Sequence, residues 1–304
     1  MNRNSAIRPR KLLAACALMG LALTAGPAPA QVRGTISGYV KDATDAVLPG
    51  ARVVLRNEGT GAVRETTSSQ EGFYQFLGLT PGVYTLEAEL ASFRSYRAAG
   101  IQLRVDENLR ADIRMELGAV TEQVQVTAAA TVVETRSSTL AAVMDDRRIV
   151  DLPLLNRNVI SLAALLPGVT QVWAGSNSDS QSQRGGPTLT VNGGRRNQTY
   201  ETLNNTYFNN PSRNTGLNPP PPDAVQEFRM QTANYSAESG RNAGAVVSVV
   251  TKSGTNDVHG AVWEFHRSSA LNARSFFEGR KPVQHQNQFG AAAGGPIRRD
   301  KVFY

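Results

Sequence analysis

Hydrophobic and polar positions alternate with a period of two over long stretches of this chain, which predicts strands buried on one face. The clearest run places Leu109, Ala111, Ile113, Met115 and Leu117 on one side and Arg110, Asp112, Arg114 and Glu116 on the other. Ala51, Val53 and Leu55 alternate with Arg52 and Arg56, and Tyr84, Leu86, Ala88 and Leu90 alternate with Glu87 and Glu89. Turn signals separate these runs: Leu48-Pro49-Gly50, Gly59 with Gly61, Glu71-Gly72 and Thr80-Pro81-Gly82. Proline fixes φ and glycine admits positive φ at such points. The pattern predicts an antiparallel β-sandwich of about seven strands over residues 32–118.

Different patterns follow. Met144 to Ile149 predicts a short helical turn, and Val159 to Leu166 a helix with Leu162, Leu165 and Leu166 on one face, stopped by Pro167-Gly168. Thr188 to Gly193 reads as a strand. Val225, Phe228 and Met230 sit in a short extended segment, followed by a polar turn from Tyr235 to Gly244. The β-branched run Ala245 to Thr251, bounded by Gly244 and Gly254, is too short for a helix and predicts a buried strand. Past Asn256, Ala261, Trp263 and Phe265 alternate with Gly260, Val262, Glu264 and His266. One face suits lipid and the other a polar lumen, as in a transmembrane β-barrel strand, with Trp263, Phe276, Phe277, Phe303 and Tyr304 as candidate interfacial aromatics.

Composition narrows the setting. The length of 304 residues suits about two domains. Residues 1–30 read as a secretory signal: Arg3, Arg8, Arg10 and Lys11 are basic, Leu12 to Leu23 are apolar, and Ala28-Pro29-Ala30 offers a cleavage site before Gln31. The apolar stretch is too short to span a bilayer. Leu13-Ala14-Ala15-Cys16 mimics a lipoprotein box but follows Lys11 too closely. Cleavage removes Cys16, the sole cysteine, so no disulfide is expected. It also removes four basic residues and no acidic ones, lowering the formal charge from +7 to +3. The electrostatic footprint of a nucleic-acid binder is then lost, and no nucleic-acid partner is expected.

Catalytic chemistry is not evident. His259, His266 and His285 lie in the tail without an H-E-x-x-H pattern or a cysteine pair. There is no G-x-S-x-G or Walker-type loop. The chain is expected to be no enzyme, and to hold no metal site and no cofactor.

Two resemblances order these observations. Gly38, Val40, Asp42, Pro49, Gly50, Ala51, Val53, Gly72, Tyr74, Phe76, Leu79, Pro81, Gly82, Tyr84 and Leu86 follow the pattern of the carboxypeptidase regulatory-like domain, a prealbumin-like sandwich. That fold group overlaps with carbohydrate-binding modules, which makes Tyr39, Tyr74 and Tyr84, with Phe76, candidates for a sugar-stacking platform. Core packing is the competing and favoured role. No histidine or cysteine stands in the segment, so the name carries no zinc site. Glu227, Phe228, Tyr235, Gly244, Val247, Val249, Thr251 and Lys252 resemble the end of the plug of TonB-dependent outer-membrane receptors. The order L-P-L-x-x-R-N, then L-x-x-L-x-P-G-V, over residues 152–169 is similar to the start of the same plug. Leu203-Asn204-Asn205-Thr206 stands where these plugs usually carry L-D-G-(V/I), and asparagine can adopt the left-handed conformation there.

Glu122, Gln123, Val124, Gln125, Val126, Thr127 and Ala128 resemble the TonB box, the coupling segment of this family. A TonB-type energy-transducing protein is then the implied partner, met by adding the segment as a strand to the partner's sheet. The competing role is a linker strand packed on the sandwich.

The expected organisation is mainly β: a signal peptide (1–30), an antiparallel β-sandwich (32–118), a linker with the coupling segment (119–129), a mixed α/β plug (130–256), and the first strands of an incomplete transmembrane β-barrel (257–304). The location implied is the outer membrane, with its lipid around the barrel and the sandwich in the periplasm. An open barrel leaves unpaired edges in lipid, so a fragment or a truncated product is expected that does not transport alone. The implied function of the whole is energy-coupled uptake of an unidentified ligand, with oligosaccharide, peptide and metal chelate all open. The alternative is an exported carbohydrate-binding-like module without transport. An accessory domain of a secreted peptidase ranks last.

Overall fold

The computed structural model describes residues 34–118, 123–127, 139–154, 157–172, 188–195, 197–212, 214–239, 242–274, 276–277, 279–281, 283 and 285–304. The signal segment, Glu122 and Ala128 lie outside the described residues.

The alternating runs of the first half fold into two facing sheets. Strands β1 (Gly34–Asp42), β2 (Arg52–Asn57), β3 (Val63–Thr67), β4 (Phe73–Leu79), β5 (Gly82–Glu89), β6 (Ser95–Leu103), β7 (Asn108–Arg110) and β8 (Ile113–Met115) follow in order, and β9 (Gln123–Thr127) joins them. One sheet has the order β4-β1-β7, with β8 also on β1, and the other the order β3-β2-β5-β6-β9. Ile36, Val40, Val53, Leu55, Tyr74, Leu86, Ile101 and Ile113 fill the core between them. Burying each such side chain is worth about 1.5–3 kcal/mol.

The sandwich is not purely antiparallel. β7 and β8 both run parallel to β1, and β9 runs parallel to β6. The run from Leu109 to Leu117 is also two strands rather than one. At its break the Ala111 N–H donates to the Ser37 carbonyl (2.9 Å), the Tyr74 hydroxyl donates to the Ala111 carbonyl, and Asp112 accepts from the Tyr39 N–H (3.0 Å). Leu117 consequently falls beyond the core and is exposed. Gly38 belongs to this break and not to a turn. A Cβ there would collide with the backbone carbonyl of Ala111.

The second half contains β10 (Leu140–Asp145), helix α1 (Asp146–Asp151), a 3-10 helix (Val159–Leu165), β11 (Val169–Val172), β12 (Thr188–Val191), β13 (Thr199–Leu203), β14 (Thr206–Tyr207), β15 (Val225–Ala233) and β16 (Ala245–Thr251). Its main sheet has the order β10-β15-β16-β13-β14, with β13 parallel to β16. β16 is buried along nearly its whole length. Ala245, Val247 and Val249 join a core with Ile149, Val159, Ile160, Leu162, Leu189, Phe228 and Met230. The register of β15 against β16 slips between Val225 and Glu227, a bulge. The extra residue brings odd-numbered Val225 to the face of even-numbered Phe228 and Met230.

One detail differs from the sequence pattern and another keeps it. The segment from Val159 winds as a 3-10 helix, which stacks residues three apart. Val159 with Leu162 and Ile160 with Ala163 form its buried columns, while Leu165 ends the helix and is exposed. The loop 203–206 keeps its expected turn: Asn204 (φ 49°) and Asn205 (φ 62°) are both left-handed, as a two-residue hairpin of this type requires.

The chain continues into a long hairpin, β17 (His259–Ser268) and β18 (His285–Gly294), then β19 (Pro296–Arg298) and β20 (Val302–Phe303). Val262 and Phe289 are exposed on one face of the hairpin; on the other Trp263 is partly covered, while Ala261 and Phe265 are also exposed. Arg157 is seated on the Phe265 ring. All described residues belong to one compact unit, Val32–Tyr304.

Substituting Gly38→Ala should lower the thermal midpoint of the detergent-solubilised chain. Overpacking of this kind costs about 1–3 kcal/mol. An unchanged melting curve would show that the close approach of β1 to Ala111 is not required.

Candidate functional site

The functional chemistry of the mixed half sits where its sheet meets neighbouring parts. The turn between β6 and β7 carries Val105, which is fully buried, and Asp106, whose φ of 51° is left-handed. It rests on three side chains from adjacent strands. Glu227 accepts from the Val105 N–H (3.1 Å), Arg229 donates to the Val105 carbonyl (2.8 Å), and Ser248 donates to Asp106 (2.6 Å). Arg229 and Ser248 face each other in the β15–β16 register. The turn thus bridges both strands. The second oxygen of Glu227 has no hydrogen-bond partner among the described residues. Burial pushes this carboxyl up from 4.5 to about 7, against the lowering effect of the Val105 N–H, Arg104 and Arg229.

A second junction holds the hairpin. Arg157 has a left-handed backbone (φ 50°), pairs with Asp223 and lies 3.6 Å from the centre of the Phe265 ring. Both ion-pair side chains are only 12% exposed. A buried guanidinium keeps its charge, so its carboxylate and its aromatic face replace lost water. Ahead of β17, the Asn256 N–H donates to the Gly59 carbonyl (2.9 Å), and Asn256 and Asp300 exchange hydrogen bonds of 2.8 and 2.9 Å.

Glu201 on β13 lies under Gly216, against which a Cβ would collide. Its backbone N–H donates to Asn209 (2.7 Å), whose amide donates to the Thr199 carbonyl (3.0 Å). Asn242 donates to the same carbonyl (2.8 Å), and Asn214 donates to Asn242 (2.9 Å). No cation faces the Glu201 carboxyl among the described residues, and burial pushes it up from 4.5 to about 8. At neutral pH it is a neutral acid inside an asparagine network.

At the end of β15 and β16 away from the hairpin lies a cleft of about 360 Å³, bordered by Asn192, Gly194, Thr232, Asn234, Tyr235 and Gly244. The Tyr235 hydroxyl is held by the Asn242 carbonyl (2.8 Å).

The tyrosines singled out from sequence do not form one surface. Tyr74 and Tyr84 are core residues, with hydroxyls donated to the backbone carbonyls of Ala111 and Thr80. Tyr39 alone is partly exposed, tilted against Phe73 (5.5 Å) and under the Arg110 guanidinium (5.5 Å). Of the segment 122–128, Gln123–Thr127 forms β9 on the sandwich's own sheet, paired with Ser95–Ala99. Sequence reasoning missed Arg157, Glu201, Arg229 and Ser248. The available signal was charged residues inside apolar alternation, as in Glu227-Phe228-Arg229-Met230. No group of histidine, cysteine and acidic residues suited to a metal ion occurs among the described residues.

Two predictions follow from these charges. Arg157→Ala leaves Asp223 buried without its partner and should cost about 3–5 kcal/mol in chemical denaturation; a loss within error would mean that water reaches Asp223. For Glu201 the folded acid titrates higher than the unfolded one. Its stabilising contribution is full below about 4.5 and is lost as pH rises toward about 8. Glu201→Gln should therefore unfold at higher temperature than the parent at pH 9, with the advantage vanishing at pH 4.

Known proteins place these features in context. Residues 35–116 match the carboxypeptidase regulatory-like domain family, and residues 250–304 match an outer membrane beta barrel domain family. A curated relative, the TonB-dependent transporter Oar of Myxococcus xanthus, is 28% identical over 288 residues, 89% of this chain. The chain spans about a quarter (26%) of that relative's length. Among solved structures, the siderophore receptor PirA of Acinetobacter baumannii is 22% identical with a TM-score of 0.42, covering 55% of this chain and 24% of its own. A putative carbohydrate binding protein of Bacteroides uniformis is 16% identical with a TM-score of 0.24, covering 27% and 40%. The chain thus carries a carboxypeptidase regulatory-like domain ahead of outer-membrane barrel sequence, belongs at the outer membrane, and is similar over most of its length to a TonB-dependent transporter.

Proposed function

We propose that this chain supplies the periplasmic sandwich, the coupling segment, the plug and the first barrel strands of a TonB-dependent receptor that takes up a ligand across the outer membrane. The observation that carries the reading is the passage from a doubly buried strand, β16, into an outward-exposed hairpin of ten-residue strands within eight residues. A plug sheet joined directly to a barrel wall requires that sequence of environments. Arg157 and Asp223 then hold the plug against the first barrel strand, and the asparagine-bordered cleft at the far end of β15 and β16 is the plug's ligand-facing end. Its polar lining suits a hydrogen-bonding ligand.

In this reading residues 122–128 are the coupling segment. Five of them form an edge strand, β9, whose second edge pairs with no strand among the described residues. An open edge accepts a further strand by main-chain hydrogen bonds. A TonB-type partner therefore docks there without first displacing the sandwich. The sugar-module alternative loses support from the burial of Tyr74 and Tyr84.

Deleting residues 122–128 from the full chain should abolish capture of a purified periplasmic domain of a TonB-type protein, with the melting curve of the remainder retained. Capture that survives the deletion would remove this assignment.

A further inference from the structure

The sandwich has no evident reason to touch the plug's central strands, yet its turn Arg104–Glu107 is built into them. The turn is stiff: the Arg104 N–H donates to the Glu107 carboxylate (2.7 Å), and the Thr35 N–H of β1 donates to the Glu107 carbonyl (2.9 Å). Its seat is polar in a buried place. Glu227, Arg229 and Ser248 are each less than one tenth exposed and lie on the sheet face opposite the apolar core. Removing the turn strips hydrogen bonds from two buried ionisable groups, which is costly. The contact is therefore firm and not incidental.

The same strand carries the coupling segment. β6 pairs with β9 along Ser95–Ala99, and its end at Leu103 abuts the turn. Ala98, Ile101 and Leu103 anchor β6 in the sandwich core, and β5 pairs along its other edge. Load along β9 meets the backbone bonds to β6 in shear, where they resist together instead of opening one at a time. The covalent route from β9 to β10 passes through residues 128–138, a stretch of up to about 40 Å when drawn taut.

We propose that the sandwich relays a pull on β9 into the plug, through β6 and the turn Arg104–Glu107, onto β15 and β16. This rests on the reading of residues 122–128 as the coupling segment. The turn spans two neighbouring strands, so its displacement draws on β15 and β16 together at the centre of the plug sheet. The sandwich is then a working part of the gate.

The test is single-molecule pulling on the full chain in detergent, with one handle inserted after Thr127 and the other after Asp257. Asp106→Cys with Ser248→Cys, in a chain with Cys16→Ala, places a reducible cross-link across the junction. In the reduced state the first rupture should be release of the turn from β15 and β16. Oxidation should abolish that event, and Ser248→Ala should lower its force. A first rupture of the same force and length in the oxidised, reduced and Ser248→Ala chains would overturn the relay. No partner or ligand is present, so this failure is separate from failure of partner capture by the segment.

Discussion

A strand buried on both faces and paired along both edges has no side left for water, and β16 is such a strand. Every group it presents must be answered by protein. Its apolar face is answered by Phe228, Met230 and the 3-10 helix. Its other face carries Ser248, which together with Glu227 and Arg229 is answered by a turn of the sandwich. The strand's end is closed by Asn204, which accepts from the Thr251 N–H (3.0 Å). The arrangement of sandwich, sheet and hairpin around β16 follows from satisfying it.

The charged groups buried around this strand are handled in three ways. Arg157 and Asp223 pair with each other, with an aromatic ring in place of water. Burial pushes Glu201 up to about 8, and no cation among the described residues offsets it. Glu227 lies between, held by one N–H and drawn both ways by Arg104, Arg229 and Glu107. The first arrangement fixes position, whereas the other two make stability depend on protons. Their placement at the junctions makes the internal seams, not the cores, the chemically sensitive parts of the molecule.

The cores were legible in the sequence. Alternation located most sandwich strands, and the β-branched run located β16. Less legible was anything set by long-range contact. The break at Ala111 arises because Gly38 lets β1 approach closely, and an alternating pattern contains no sign of it. The parallel pairing of β7 and β8 with β1 is likewise a matter of topology. The bulge in β15 was foreshadowed by the uneven spacing of Val225, Phe228 and Met230. The functional seams were the hardest to see, because a charged residue in an alternating strand reads as solvent-facing when nothing indicates that a second domain covers it.

The place of β16 in the chain has a consequence for biogenesis. Its sheet neighbours β13 and β15, and β10 beyond, all precede it in sequence, and it fills the middle position. A chain secreted from its N-terminus completes the sandwich first, because all of its strands precede β10. The second sheet cannot close until its last strand arrives. Until then β13 and β15 expose open edges, and the strand that joins them is the most apolar of the set, a combination prone to aggregation. The interval before Thr251 emerges is the period in which the nascent protein most needs a chaperone.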